Sequence, residues 1–233
     1  MKSHIFPEWL YTPLYDKNHR FSVPSTNENK RRGTRPKGIY ERLLCQECEV
    51  QLSEWEGYAR GVFYGDDHGI KIEDNGGRVV LSGLRYTPFK LFQMSLIWRA
   101  SITNRQEVHK INLGPHAESL RKMLFEECPG ESHQYPAILM SLPRSLVQIL
   151  REFILPPEPL PKKIDGHTGY RAVLGGLFWL FVVSSHSADL HDMDLFLTKD
   201  GRLPVYKAGE PAVEFMRKLA LDFSKAGMLN QPP

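Results

Sequence analysis

Apolar positions recur at spacings of three and four through Leu52, Trp55, Ala59, Val62 and Phe63, the mark of one helix face, and the run ends near Gly65. The period then changes. Ile70-Lys71-Ile72 and Val79-Val80-Leu81 flank Asp74-Asn75-Gly76-Gly77, which predicts a hairpin between Gly69 and Leu84. Phe89 to Ile102 is apolar almost all round, with Phe92, Leu96 and Ala100 on one face and Leu91, Met94 and Trp98 widening it. Such a helix is buried and forms the core of the chain. Within it, Trp98 and Arg99 read as core packing with an arginine that snorkels to water, ahead of a stacked, ligand-facing pair. Pro115 suits the first turn of a helix over 116–125, and Cys128-Pro129-Gly130 follows as a turn.

The last third alternates short apolar runs with breakers. Ala137 to Leu142 reads as a strand and Ser145 to Phe153 as a short helix. Pro156 to Pro161, with four prolines in six residues, reads as a connector at a subdomain boundary. Tyr170 to Leu174 and Leu177 to Val183 are buried strands joined at Gly175-Gly176, and Asp194 to Tyr206 gives a further hairpin around Lys199-Asp200-Gly201. Pro211 to Ala226 closes the chain as an amphipathic helix, with Val213, Met216, Leu219, Ala220 and Phe223 inward and Gly227 as its C-cap. The pattern divides the chain into 1–66, 67–155 and 156–233, the last two readable as one compact domain. The fold class is α+β.

Composition adds less. The 233 residues carry a net charge of +3, so affinity for nucleic acid must come from local clustering. The clearest cluster is Lys30, Arg31, Arg32, Arg35 and Lys37, five cations in eight residues of a turn-rich stretch read as a loop from Asn18 to Gly38. It reads either as a set of phosphate contacts or as a solvated loop. Met1 to Pro7 lacks a signal-peptide pattern, and no apolar run reaches the about 20 residues of a membrane span. Three cysteines, two of them in a CxxC, argue for a reducing compartment, with the cytoplasm as the default and no membrane partner.

Those two cysteines are the centre of the chemistry. Leu43-Leu44-Cys45-Gln46-Glu47-Cys48 is a CxxC at the start of the first long helix, and thiolates at this spacing can share one metal ion. A structural zinc takes four ligands, so Cys45 and Cys48 supply half a site. The remaining ligands would have to come from Cys128 or from among nine histidines, His4 foremost. The alternative is a pair of ordinary reduced cysteines beside a helix start. His186, Asp189, His191, Asp192 and Asp194 form a second cluster, read as a cation site or as a polar loop after a buried strand. There is no P-loop, no GxGxxG and no internal repeat.

Ser3-His4-Ile5-Phe6-Pro7, followed some forty residues later by Leu43-Leu44-Cys45-Gln46-Glu47-Cys48-Glu49, resembles the HNH, or His-Me finger, endonuclease module. A typical member reads CxxC, then Asp-His-Ile-x-Pro, then Asn shortly before Leu-Cys-x-x-Cys with a histidine beside the last cysteine. The chain also looks like a bacterial HNH-like group with a Ser-His-Ile-Ile-Pro motif and a later tryptophan-arginine helix, here Leu96 to Ser101. The resemblance covers the first sixty-odd residues. It implies an N-terminal ββα-metal module, ahead of the helix-rich core and C-terminal antiparallel hairpins that the patterning predicts.

The resemblance further implies a metal-dependent nuclease that hydrolyses DNA phosphodiester bonds, in phage defence or a mobile element. His4 would be the general base, Glu49 a metal ligand, Cys45 and Cys48 structural, and Lys30 to Lys37 would lie along the phosphates. The implied cofactors are structural Zn2+ and catalytic Mg2+ or Mn2+. The sequence departs from the pattern at three places: Ser3 stands for the metal-binding Asp, Tyr40 falls near the Asn place and Glu49 on the last His place. Asn27 or Asn29 could supply the amide, and the first CxxC has no counterpart after Met1. These departures define the alternative, an HNH-like scaffold that binds nucleic acid or a protein partner without cleaving, with a homodimer as a further form of partnership.

Overall fold

A computed structural model describes residues 3–15, 17–18, 20–23, 33–35, 38–65, 69–106, 108, 111–143, 146, 154–184 and 186–225. In chain order the elements begin with β1 (Ser3–His4), α1 (Glu8–Tyr11), β2 (Phe21–Val23), β3 (Gly33–Arg35), β4 (Tyr40–Glu41) and α2 (Gln46–Tyr64). β5 (Lys71–Asp74), β6 (Arg78–Ser82), α3 (Tyr86–Ile102), α4 (His116–Phe125) and β7 (Ala137–Ser141) follow. The chain finishes with β8 (Leu155–Pro159), β9 (Thr168–Leu174), β10 (Leu177–Val183), β11 (Leu203–Lys207) and a last helix, α5 (Glu210–Lys225). The fold is α+β, built on a large mixed sheet.

That sheet has seven strands in the order β5-β6-β11-β7-β10-β9-β8, antiparallel throughout except where β11 runs parallel to β7. Two of its hairpins follow from local turn chemistry: β5–β6 turns at Asn75 to Gly77, and β9–β10 at Gly175-Gly176. Alternation along the strands separates two apolar layers. Ala137, Leu139, Tyr170, Ala172, Leu174, Trp179 and Phe181 join the main core with α2, α3 and α4. Val173 and Phe178, one residue out of phase, pack on the other side with Val213 and Met216 of α5. The main core draws residues from Ile5 through to Val205.

The helices follow their patterns. α2 starts at Cys45, buries Leu52, Trp55, Tyr58, Ala59 and Val62, and stops at Gly65, which takes the left-handed conformation at the C-cap. α3 is buried on nearly every side, down to Lys90, Gln93 and Ser95.

Four local expectations need correction. The proline-rich stretch after Leu155 is a strand, not a connector, and it lies at the sheet margin, where the missing proline amides cost no ladder bond. Residues 194–206 do not form a hairpin. The turn at Thr198 to Arg202 is hydrogen-bonded, but β11 leaves it to pair with β6 and β7, while Phe196 makes only a single bridge to Ile138. The Asn18–Gly38 loop contains the antiparallel pair β2–β3. Arg99 does not snorkel: it is 2% exposed. The helix expected over Ser145 to Phe153 falls, apart from Leu146, outside the described residues.

Candidate functional site

The site is built where the chain start meets the approach to α2. β1 and β4 pair antiparallel, with Ser3 opposite Glu41 and His4 opposite Tyr40, and the Ile5 amide extends the ladder to the Ile39 carbonyl at 2.9 Å. Two short antiparallel strands thus lead within a few residues into a nineteen-residue helix. Ser3 is fully buried, and its Oγ accepts a hydrogen bond from the Leu44 amide at 3.2 Å. This ties β1 to the residue just before the CxxC.

Two helices hold this pair of strands in place. Thr103 Oγ1 and the Asn104 amide, just past the end of α3, both donate to Glu41 Oε2, at 2.6 and 2.9 Å. Those bonds, Thr103 first, hold the Glu41 carboxyl below the usual carboxylate range. Arg99 of α3 donates from Nη1 to the His4 carbonyl at 2.8 Å, and the same nitrogen lies 2.7 Å from Glu56 Oε1 on α2. One buried guanidinium therefore fixes the backbone at His4 to both long helices.

The His4 ring is partly exposed and meets Tyr40 edge-on, with centroids 6.1 Å apart. Its Nε2 makes no hydrogen bond, and Glu8 Oε2 of α1 stands 3.9 Å away. Glu8 comes this close because Pro7 starts α1 immediately after the His4 strand.

Cys45 caps α2. Its Sγ accepts from the Cys48 amide at 3.4 Å, and the two sulfurs are 3.2 Å apart. The bond from Cys45 pushes the Cys48 thiol up, with burial adding to it. Cys45 is exposed and Cys48 half-buried. Both open onto a cleft of about 440 Å³ whose walls include Leu52, Trp55, Trp98 and Leu124, with Arg121 also lining it.

Glu49 lies on the next turn, and its Oε1 is buried without a hydrogen bond. However, no group of three or more His, Cys, Asp or Glu side chains that could hold a metal ion is found among the described residues. Cys45 and Cys48 thus give two of the four donors a structural zinc needs, with no third beside them there. His4 and Glu49 likewise belong to no such group, and the Ser3 hydroxyl is already engaged. The described residues do not fit either metal.

Lys30, Arg31, Arg32 and Lys37, with Asn27 and Asn29, lie outside the described residues, and Arg35 is described only as backbone of β3. The His and Asp residues near 190 are divided among separate partners. Asp189 faces His167 at 3.1 Å, and His191 pairs with Asp192 at 2.9 Å. Asp194 is bonded to Arg202 and Arg78, which hold its carboxyl low, Arg202 most.

Glu41, Glu56 and the role of Arg99 escape a reading of the sequence. The one signal for them is the pair of cations, Lys90 and Arg99, inside an otherwise apolar helix, since buried charge demands a partner. Compared with protein-family models, curated proteins and solved structures, the chain matches none.

Proposed function

We propose that β1, β4 and α2 form an HNH-like ββα scaffold that binds nucleic acid, DNA foremost, without cleaving it. The observation that carries this is the state of Ser3. The position where the HNH pattern has a metal-binding carboxylate holds a hydroxyl that is fully buried and bonded to the Leu44 amide, so it serves the fold. The basic series Lys30, Arg31, Arg32, Arg35 and Lys37 supplies the attraction to phosphate, and β2–β3 flanks most of it in the chain.

A second reading, the metal-dependent nuclease, is favoured by His4. Its Nε2 makes no hydrogen bond and lies 3.9 Å from Glu8 Oε2, but the nitrogen is buried, so this reading requires it to be uncovered before it can act on a water. Both readings are tested together. Binding of the full chain to labelled duplex DNA is followed against salt, and supercoiled plasmid is incubated with the protein and Mg2+ or Mn2+. The scaffold predicts affinity that falls steeply with salt, with the slope reduced by about 0.9 for each phosphate-contacting cation removed from the basic series. It predicts no nicking. Nicking that disappears in His4→Ala would establish the nuclease instead, and salt-insensitive or absent binding would overturn both.

A further inference from the structure

We infer that Cys45 and Cys48 are a redox-active dithiol that closes reversibly to a disulfide by exchange with low-molecular-weight disulfides. This is independent of the nucleic-acid reading. The sulfurs lie 3.2 Å apart, so the bond needs an approach of only about 1 Å to reach the about 2.05 Å of a disulfide. Cys45 is the N-cap and Cys48 lies in the first turn of a nineteen-residue helix, so the helix start holds both sulfurs on one side of the chain. No third His, Cys, Asp or Glu side chain joins them in a metal-holding group among the described residues. A pair of thiols this close is placed for disulfide exchange.

The two cysteines divide the work by their exposure. Cys45, exposed, is the attacking group, and Cys48, half-buried one turn further on, resolves the intermediate. Cys45 gives up its proton and attacks one sulfur of the incoming disulfide. An S–S bond forms to Cys45 while the other half leaves as a thiolate and takes up that proton. Cys48 then loses its proton and attacks the Cys45 sulfur, releasing the second half as a thiol. Two electrons and two protons pass from the pair to the co-reactant, one disulfide becoming two thiols.

The adjoining cleft favours a particular kind of disulfide. Trp55, Trp98 and Leu124 give it apolar walls, and Arg121, exposed and paired with Glu118, adds a cation that suits a carboxylate on the co-reactant. Glutathione disulfide has such carboxylates, whereas hydroxyethyl disulfide has none.

The test uses the full chain carrying Cys128→Ser, since Cys128 is an exposed thiol outside the pair. The protein is equilibrated in glutathione buffers from fully reduced to fully oxidised, alkylated and weighed, with tryptophan fluorescence followed in parallel. The expected result is joint loss of both alkylation-reactive thiols, reversed by dithiothreitol, with a fluorescence change because Trp55 and Trp98 share the cleft with the sulfurs. Cys48→Ser should trap one glutathione on Cys45, and Cys45→Ser should trap it about tenfold more slowly, because the remaining thiol is less accessible. Arg121→Gln should slow the reaction with glutathione disulfide and leave hydroxyethyl disulfide unchanged. Two alkylatable thiols at every buffer composition, or stoichiometric zinc on the purified chain that keeps the pair from oxidising, would overturn the inference. Both readouts use the chain with the pair intact, so a variant that fails to fold leaves the test decided.

Discussion

Arg99 Nη1 lies 2.8 Å from the backbone carbonyl of His4, although the two residues are 95 positions apart. The same atom faces Glu56 Oε1 at 2.7 Å, so a single buried charge joins β1, α2 and α3. Replacing one member of such a pair strands the other in a medium that solvates it badly. Glu56→Leu is therefore expected to destabilise the chain by about 3 kcal/mol, and Arg99→Met by a similar amount. In urea unfolding, the double variant should cost clearly less than the sum of the two. Strict additivity would show that the two side chains do not depend on each other.

Lys90 is buried on the same helix and donates from Nζ to the carbonyls of Ser132 and Tyr135, each at 3.1 Å. Burial pushes its ammonium down to about 7. The unfolded chain keeps an ordinary lysine that holds its proton up to about 10.4. Between these values the unfolded state binds more protons, so the stabilising effect grows as pH rises from about 7 toward about 10. Tm measured over that range should rise for the wild type relative to Lys90→Met. Parallel curves would mean that the two carbonyls hold the charge in place.

Ser3→Ala removes the acceptor for the Leu44 amide and should cost about 1–2 kcal/mol. Ser3→Asp restores the carboxylate of the HNH pattern, but at a position with no exposed surface. It is expected to lower Tm further than Ser3→Ala and to bring no plasmid nicking with Mg2+ or Mn2+. Nicking gained by Ser3→Asp would show that the scaffold lacks only this ligand.

Two glycines should respond to alanine with opposite signs. At Gly201 the backbone has φ +80, and an added Cβ would clash with the Leu84 carbonyl oxygen, while its own carbonyl accepts from the Leu84 amide. Gly201→Ala should cost about 3 kcal/mol, from clash and left-handed strain together. Gly57, on the exposed side of α2, has open space around it and should gain about 0.5–1 kcal/mol as alanine. Thermal unfolding of the two variants checks both signs.

What could be read from the sequence was whatever is encoded within a few residues. The face of α2 and its stop at Gly65 are legible because spacing and breaker lie side by side, and so are the hairpins at Asn75 to Gly77 and Gly175-Gly176. The parallel contact of β11 with β7 is not, because no turn joins the two and some sixty residues separate them. β8 was obscured by its own composition, since prolines read as a break unless the strand is known to be marginal.

At the site, the CxxC at a helix start was plain, but the pairing of His4 with Tyr40 was not. Strands of two residues have no period to detect. Arg99 shows the same limit from another side: an arginine in an apolar helix looks alike whether it reaches water or a half-buried carboxylate. Only the place of Glu56 on the neighbouring helix decides it.

The two outer strands of the large sheet differ in what a neighbour could grip. Along β8, Pro156, Pro157 and Pro159 have no amide hydrogen to offer, so that margin is closed to further strands. Along β5, Lys71, Ile72, Glu73 and Asp74 are all exposed, Ile72 at 69%, and each keeps its amide. Growth of this sheet by backbone pairing is consequently one-ended. Two copies joined antiparallel along β5 would set Lys71 of each against Asp74 of the other and leave only proline-sealed margins outside. Edge-to-edge pairing of this kind would stop at two copies of the sheet.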